Sequence, residues 1–160
     1  MDGVGIHIDI TGLEAALSLV SRLAGFDASA LLTDIAALGE SQTRRRIEEE
    51  KTAPDGSPWA ANAEGTSILL RTGMHLRDSI ASTSGSDFAE WGSSWEYAHV
   101  HQDGATIVPK NGDRLAFHVG GKFVRPTKSV IPARPFVGIS DDNAGELRDL
   151  VSDYMGGLLQ

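Results

Sequence analysis

Apolar and polar positions fall into three stretches of different period. Near the start, Leu13, Ala16, Leu17, Val20 and Leu23 recur at helical spacing, with Thr11 placed to cap the helix and Gly25 placed to stop it. A second helix is predicted from about Asp27 to about Lys51. Leu31, Ile35, Leu38, Gln42 and Arg45 mark one face, and its last turns read RRRIEEEK. At about 1.5 Å per residue this helix is about 36 Å long, so it must protrude at one end or pack on a neighbour. Arg44 and Arg45 precede Glu48 and Glu49 by four residues. Such pairs support a helix only weakly, and the run reads as a solvated helix end, with a binding patch as the alternative.

The period is then interrupted. Pro54-Asp55-Gly56-Ser57-Pro58-Trp59 carries a turn signal. A tryptophan in such a turn is costly unless its ring docks: Trp59 either closes over the base of the long helix or anchors a partner. Beyond it the pattern turns to strands, expected at about 76–83, 87–92, 105–109, 114–119 and 122–125. Leu115, Phe117 and Val119 alternate with Arg114, Ala116 and His118, and Gly120-Gly121 is a two-residue hairpin signal. Residues 94–102 read as a short helix capped by Ser93 or Ser94. The prolines of Ile131-Pro132-Ala133-Arg134-Pro135-Phe136-Val137-Gly138 make that segment extended. An acidic helix follows from about Asp141 to Tyr154, with Leu147, Leu150, Val151 and Tyr154 on one face. Asp141 and Asp142 favour its start, Gly156-Gly157 ends it, and Leu158-Leu159-Gln160 form a short tail. The sum is an α+β fold. A long N-terminal helix and a C-terminal helix pack on an antiparallel β-sheet with an extended β-hairpin. One domain is expected over 1–160, with a helical part at 1–52, a sheet-rich core at 53–140 and the last helix and tail at 141–160.

Composition narrows the function. At 160 residues, 41% apolar and 22% charged, the chain is long enough to bury its own core. No apolar run approaches the roughly 18–20 residues of a membrane span, and the first residues lack the features of a secretory signal. Cysteine is absent, which removes disulfides, thiolate metal sites and cysteine nucleophiles. The formal charge of −8 argues against a general nucleic-acid-coating surface. The distribution says more than the total. Residues 105–135 hold six bases and one acid, a net of +5, whereas residues 1–40, 41–104 and 136–160 carry −5, −4 and −4. Either these segments mix on one surface, or a positive face meets a negative one on a head-to-tail neighbour.

Motifs for chemistry are sparse. His99-Val100-His101 would chelate zinc on a strand, but on a helix the two rings diverge, and a third ligand (His75, Asp103 or His118) has no recognisable spacing. The expectation is one packed and one exposed histidine, with no metal. A Ser-His-Asp triad is defined by geometry rather than order, yet no Gly-x-Ser-x-Gly elbow is present. No phosphate-binding glycine loop occurs, and no pair of carboxylates stands out from a polar face.

Four strings occur in a fixed order: Pro54-Asp55-Gly56-x-Pro58-Trp59; Leu70-Arg71-Thr72-Gly73-Met74-His75-Leu76-Arg77-Asp78-Ser79-Ile80; Tyr97-Ala98-x-x-His101-Gln102-x-Gly104; and Ile131 to Gly138. Together they resemble the virion morphogenesis (tail-completion) family of Mu-like tailed bacteriophages, over roughly residues 40–155. Asp103 stands where that family often has an aromatic. The resemblance implies a non-enzymatic structural protein of the phage neck or tail, without cofactor, metal or membrane. It implies a homo-oligomeric ring, commonly six-fold, that caps the tail tube and joins it to the head connector. Double-stranded DNA would pass through the lumen without sequence-specific binding. Its place would be the virion, and the host cytoplasm during assembly. Tail terminator and connector-side adaptor both fit. A DNA-contacting adaptor module is the alternative, and a histidine-based metal-dependent hydrolase the more remote one. On this resemblance Trp59 and Phe136 are apolar anchors. Arg134, beside Pro135, makes paired hydrogen bonds to a carboxylate or to helix-end carbonyls. His101 and Gln102, after Tyr97, bond across the loop into the hairpin, and Gly73 and Gly104 supply backbone freedom. Loss of Arg134 is expected to impair assembly more than folding.

Overall fold

The computed structural model describes residues 11–70 and 75–159, with side chains from residue 16 onward. Helix α1 spans Thr11–Ala24 and α2 spans Ser29–Arg45. Asp27 opens α2: its carboxylate accepts the Ser29 amide at 2.9 Å, satisfying a donor that the first turn leaves free. Instead of stopping, α2 widens into a π-helical turn over Arg46–Glu50. Lys51 ends it in the left-handed region (φ 57°), its amide bonding back to the Arg46 carbonyl at 3.0 Å.

The long helix lies across an antiparallel ribbon of β1 (Ile80–Ser84) and β2 (Ala89–Ser93), with Ile80 opposite Ser93 and Ser84 opposite Ala89. Gly39 sets how closely they pack. A Cβ there would stand 2.3 Å from Cδ2 of Trp91, so the indole lies directly on the helix backbone. Polar bonds fix the same contact. Ser82 donates to Glu40 at 2.7 Å, and the Thr33 and Ser84 hydroxyls meet at 2.9 Å. Buried positions run along α2 from Leu31 to Ile47, so it is the central element of the fold.

Helix α5 (Asp141–Leu159) packs along α2, and α1 rests on α5. Close by, Phe26 meets Tyr154 edge-on, with ring centroids 6.0 Å apart. Two short helices punctuate the middle, α3 (His75–Asp78) and α4 (Ala98–Asp103). The main core gathers at the base of α2, where Ile47, Trp59, Leu76, Ile80, Ala98 and Phe136 are buried together.

The α+β class and the two long helices match the sequence pattern, and the differences are local. Among the described residues the antiparallel component is three separate two-stranded ribbons: β1 with β2, β3 (Ala105–Ile107) with β6 (Ser129–Ile131), and β4 (Phe117–Val119) with β5 (Lys122–Val124). The last pair turns at Gly120-Gly121, both at positive φ, as the hairpin signal requires. The expected strand at 76–83 begins as α3, because Leu76 and Ile80, four apart, both enter the core; Ser79 closes the turn with bonds to His75 and Leu76 carbonyls. The helix expected from residue 94 starts at Ala98; Ser93 instead accepts the Trp95 amide at 3.2 Å. Helix α5 runs through Gly156-Gly157 to Leu159. Two glycines only weaken a helix, and α5 has α2 and α1 to hold it.

The run RRRIEEEK departs most from its reading as a solvated end. Arg46 and Ile47 are fully buried. Arg44 pairs backward with Glu40 at 2.9 Å, and Arg45 pairs with Glu50 at 3.0 Å and Glu146 at 2.8 Å. Glu48 is held by Arg77 at 3.1 Å. Buried α2 packs on two layers, so its last turns carry charge toward the interior on one side and toward solvent on the other.

Candidate functional site

All four motif strings contribute to one core, and three of them are hydrogen-bonded together at the segment 134–138, which has no regular structure of its own. Its backbone groups therefore need partners from elsewhere. The Pro-Asp-Gly turn supplies the first. Trp59 and Ala53 bond back to Lys51 and Ser57 at 3.0 and 2.8 Å, which closes the loop and returns the indole to the base of α2. Asp55 accepts the Ser57 amide at 2.9 Å and its hydroxyl. These bonds hold the Asp55 carboxyl below the usual range. Trp59 is thus docked within its own chain, only 6% exposed, and its Nε1 donates to the Pro135 carbonyl at 3.0 Å.

Arg134 grips the loop in the other direction. Its Nε and Nη2 donate to the carbonyls of Ala60 and Ala61 at 2.8 and 3.1 Å, and its own amide donates to the His101 carbonyl at 2.7 Å. The paired bonds are those expected of this residue, but to loop carbonyls rather than to a carboxylate or a helix end. They are intramolecular and part-buried, so Arg134 ties the Trp59 loop to segment 134–138 within one chain. Burial pulls its pKa down, yet a guanidinium stays charged.

Gln102 completes the clasp from α4. Its Oε1 accepts the amides of Phe136 and Val137 at 3.0 and 3.1 Å, and its Nε2 donates to the Val137 carbonyl at 3.2 Å. One side chain here substitutes for a neighbouring strand. Gly104 lets α4 approach: it sits at φ 75°, and a Cβ would stand 2.7 Å from the Ala133 nitrogen. Phe136 fills the core below, 1% exposed.

His101 has a different job from the one expected. Its ring stacks on Trp95 (centroids 5.7 Å apart, planes 19° from parallel), and its buried Nδ1 has no hydrogen-bond partner. Burial, and secondarily the nearby Arg134 charge, hold its pKa below 6.5. His75 stacks on Trp95 at 6.2 Å, and Tyr97, 53% exposed, meets it edge-on at 5.6 Å. His99 is exposed on the same short helix. Among the described residues no group of three or more His, Asp or Glu is placed to hold a metal ion. Gly73 lies outside the described residues; Leu76 and Ile80 of its string pack in the core beside Trp59.

Sequence reasoning missed the deepest polar residue. Arg46 donates from Nη1 to the carbonyls of Phe136 and Gly138 at 3.1 and 2.8 Å, and from Nη2 to Oδ1 of Asn143. Asn143 and Ser140 form a reciprocal cap at the start of α5, each accepting the other's amide at 3.3 and 3.2 Å. Gln42 bonds the Asn143 carbonyl at 3.2 Å and Glu146 at 2.7 Å. The Gln42 bond, followed by Arg45, lowers the Glu146 pKa. The Ser-x-x-Asn spacing was the available signal; the charged run around Arg46 hid the rest.

These groups can hold a shape. Trp59, Gln102, Arg46 and Arg134 act on backbone of their own chain, and no nucleophile and base stand within reach of each other among them. What faces outward is charge. Lys110, Arg114, Lys122, Arg125 and Lys128 are all exposed on the arm formed by the last two ribbons.

The model of the phage virion morphogenesis family matches residues 8–156. Mu-like prophage FluMu G protein 1 of Haemophilus influenzae is 24% identical over 131 residues, 74% of each chain. No solved structure matches the chain significantly.

Proposed function

The chain belongs to the phage virion morphogenesis family, and from that premise we propose that it is a non-enzymatic tail-completion subunit that closes into a ring at the phage neck. The ring, hexameric by resemblance, caps the tail tube, meets the head connector and lets DNA through. One observation carries this reading. The motif side chains Trp59, Gln102 and Arg134 are committed to the chain's own backbone, while a basic arm and the acids Asp149 and Asp153 of α5 lie exposed. A subunit of this kind gains from neighbours that match its faces. The acidity of the remaining surface suits a lumen wall that repels phosphate.

The exposed cations of the arm favour one second reading, a head–tail adaptor that touches DNA. Mass photometry of the pure protein, alone and with tail-tube protein, separates the two. The ring reading expects one closed oligomer that adds to the tube. A chain that stays monomeric in both mixtures and binds duplex DNA with a steep salt dependence would reverse the order.

A further inference from the structure

The arm and the α1–α5 face both leave large apolar side chains in water. No residue from 105 to 133 is buried, and an isolated two-stranded ribbon is marginal in water. Yet the arm holds Val108, Phe123 and Val130 at 62%, 59% and 63% exposure. Lys122, Arg125 and Lys128 of the same arm are exposed as well, and no ion pair engages these cations among the described residues. On the other side of the chemistry, α1 presents Leu17, Val20 and Leu23 at 57%, 59% and 42% exposure, a stripe of one residue every three. Helix α5 lies beside it and carries exposed Asp149 and Asp153 one turn apart.

We propose that the arm of one copy docks on the α1–α5 face of a second copy, its apolar residues on the Leu17–Val20–Leu23 stripe and its lysines toward Asp149 and Asp153. This deepens the ring reading and rests on it. The occupant is a second copy because both halves of the match are present on every chain, apolar against apolar and basic against acidic. DNA would satisfy the lysines but not Phe123, Val130 or the α1 stripe. Apolar burial supplies the affinity and charge fixes which way round the copies meet. Two different patches in contact make a heterologous interface, which closes into a ring or runs into a filament.

The absence of cysteine makes the test direct. Val20→Cys and Phe123→Cys are placed singly and together, and the protein is oxidised at concentrations where the parent chain is oligomeric. The double variant is expected to give a series of disulfide-linked oligomers on a denaturing gel. The two single variants mixed are expected to give dimers, which only contact between copies can produce. Each alone is expected to stay monomeric. Lys122→Glu with Lys128→Glu should lower the linked fraction about tenfold, and Asp149→Lys with Asp153→Lys in the same chain should restore it. Dimers from Val20→Cys alone would mean that α1 pairs with its own copy, and the proposal fails. An oligomeric protein whose mixed single variants do not link overturns the proposal while leaving the ring intact. A parent chain monomeric at every concentration removes the ring and this interface together.

Discussion

Arg46 donates to the side-chain carbonyl of Asn143, 97 residues away in sequence, and so locks the last turn of the long helix onto the first turn of α5. The same guanidinium holds the Phe136 and Gly138 carbonyls. Its nearest carboxylate, Glu50, stands 3.7 Å away, so carbonyl oxygens do most of the work of replacing water around a buried charge. Burial lowers its pKa accordingly.

Arg46→Met keeps the volume and removes every donor. The Phe136 and Gly138 carbonyls lose their donor and Asn143 Oδ1 keeps only the Ser140 amide, and the expected loss is roughly 3–5 kcal/mol. Urea unfolding should show it as a large drop in midpoint. Arg46→Lys, with a point charge in place of a fork, should fall between the two. A midpoint unchanged in Arg46→Met would mean that the cluster contributes nothing to the fold.

Gly39→Ala tests the contact of α2 with the first ribbon. The added methyl would stand 2.3 Å from the Trp91 ring, so helix and ribbon must separate. The expected cost is about 1–3 kcal/mol. Trp91→Leu in the same chain should recover part of it. Additive losses in the double variant would show that Gly39 and Trp91 do not share the strain.

Gln102→Ala strips partners from the amides of Phe136 and Val137, and roughly 2–3 kcal/mol should be lost. Gln102→Glu keeps an acceptor for both amides and gives up only the bond to the Val137 carbonyl. It should unfold closer to the parent chain in thermal melts. The reverse ranking would show that the donor, not the acceptor, holds segment 134–138.

His101 sets a pH dependence whose sign is fixed. Its folded pKa lies below 6.5, so as pH falls through 6.5 the unfolded chain takes up a proton that the folded chain refuses. Stability present above 6.5 is therefore lost in that fall, and the loss ends below the folded pKa. Urea midpoints at successive pH values from 7.5 to 5.5 (about the range where histidine titrates) should decline. His101→Phe, which keeps a ring against Trp95, should flatten the decline. An equally steep decline in the variant assigns it to other groups.

Local pattern decided what local physics can decide. The helical spacing of α1 and α2, the Gly120-Gly121 turn and the start of α5 were all legible in the sequence, because each depends on neighbours within a few residues. So was the need for the Trp59 ring to dock, since an exposed indole in a turn is costly in water; a buried place for Phe136 came from the family resemblance. Tertiary packing alone decided the rest. Leu76 turned an expected strand start into α3 because a four-residue spacing brings it and Ile80 into one core. Arg46 went inward, although it stands in a run of charges, because three carbonyl oxygens from segments some 90 residues away were waiting there. Burial of a charge depends on partners, and no local window of sequence contains them.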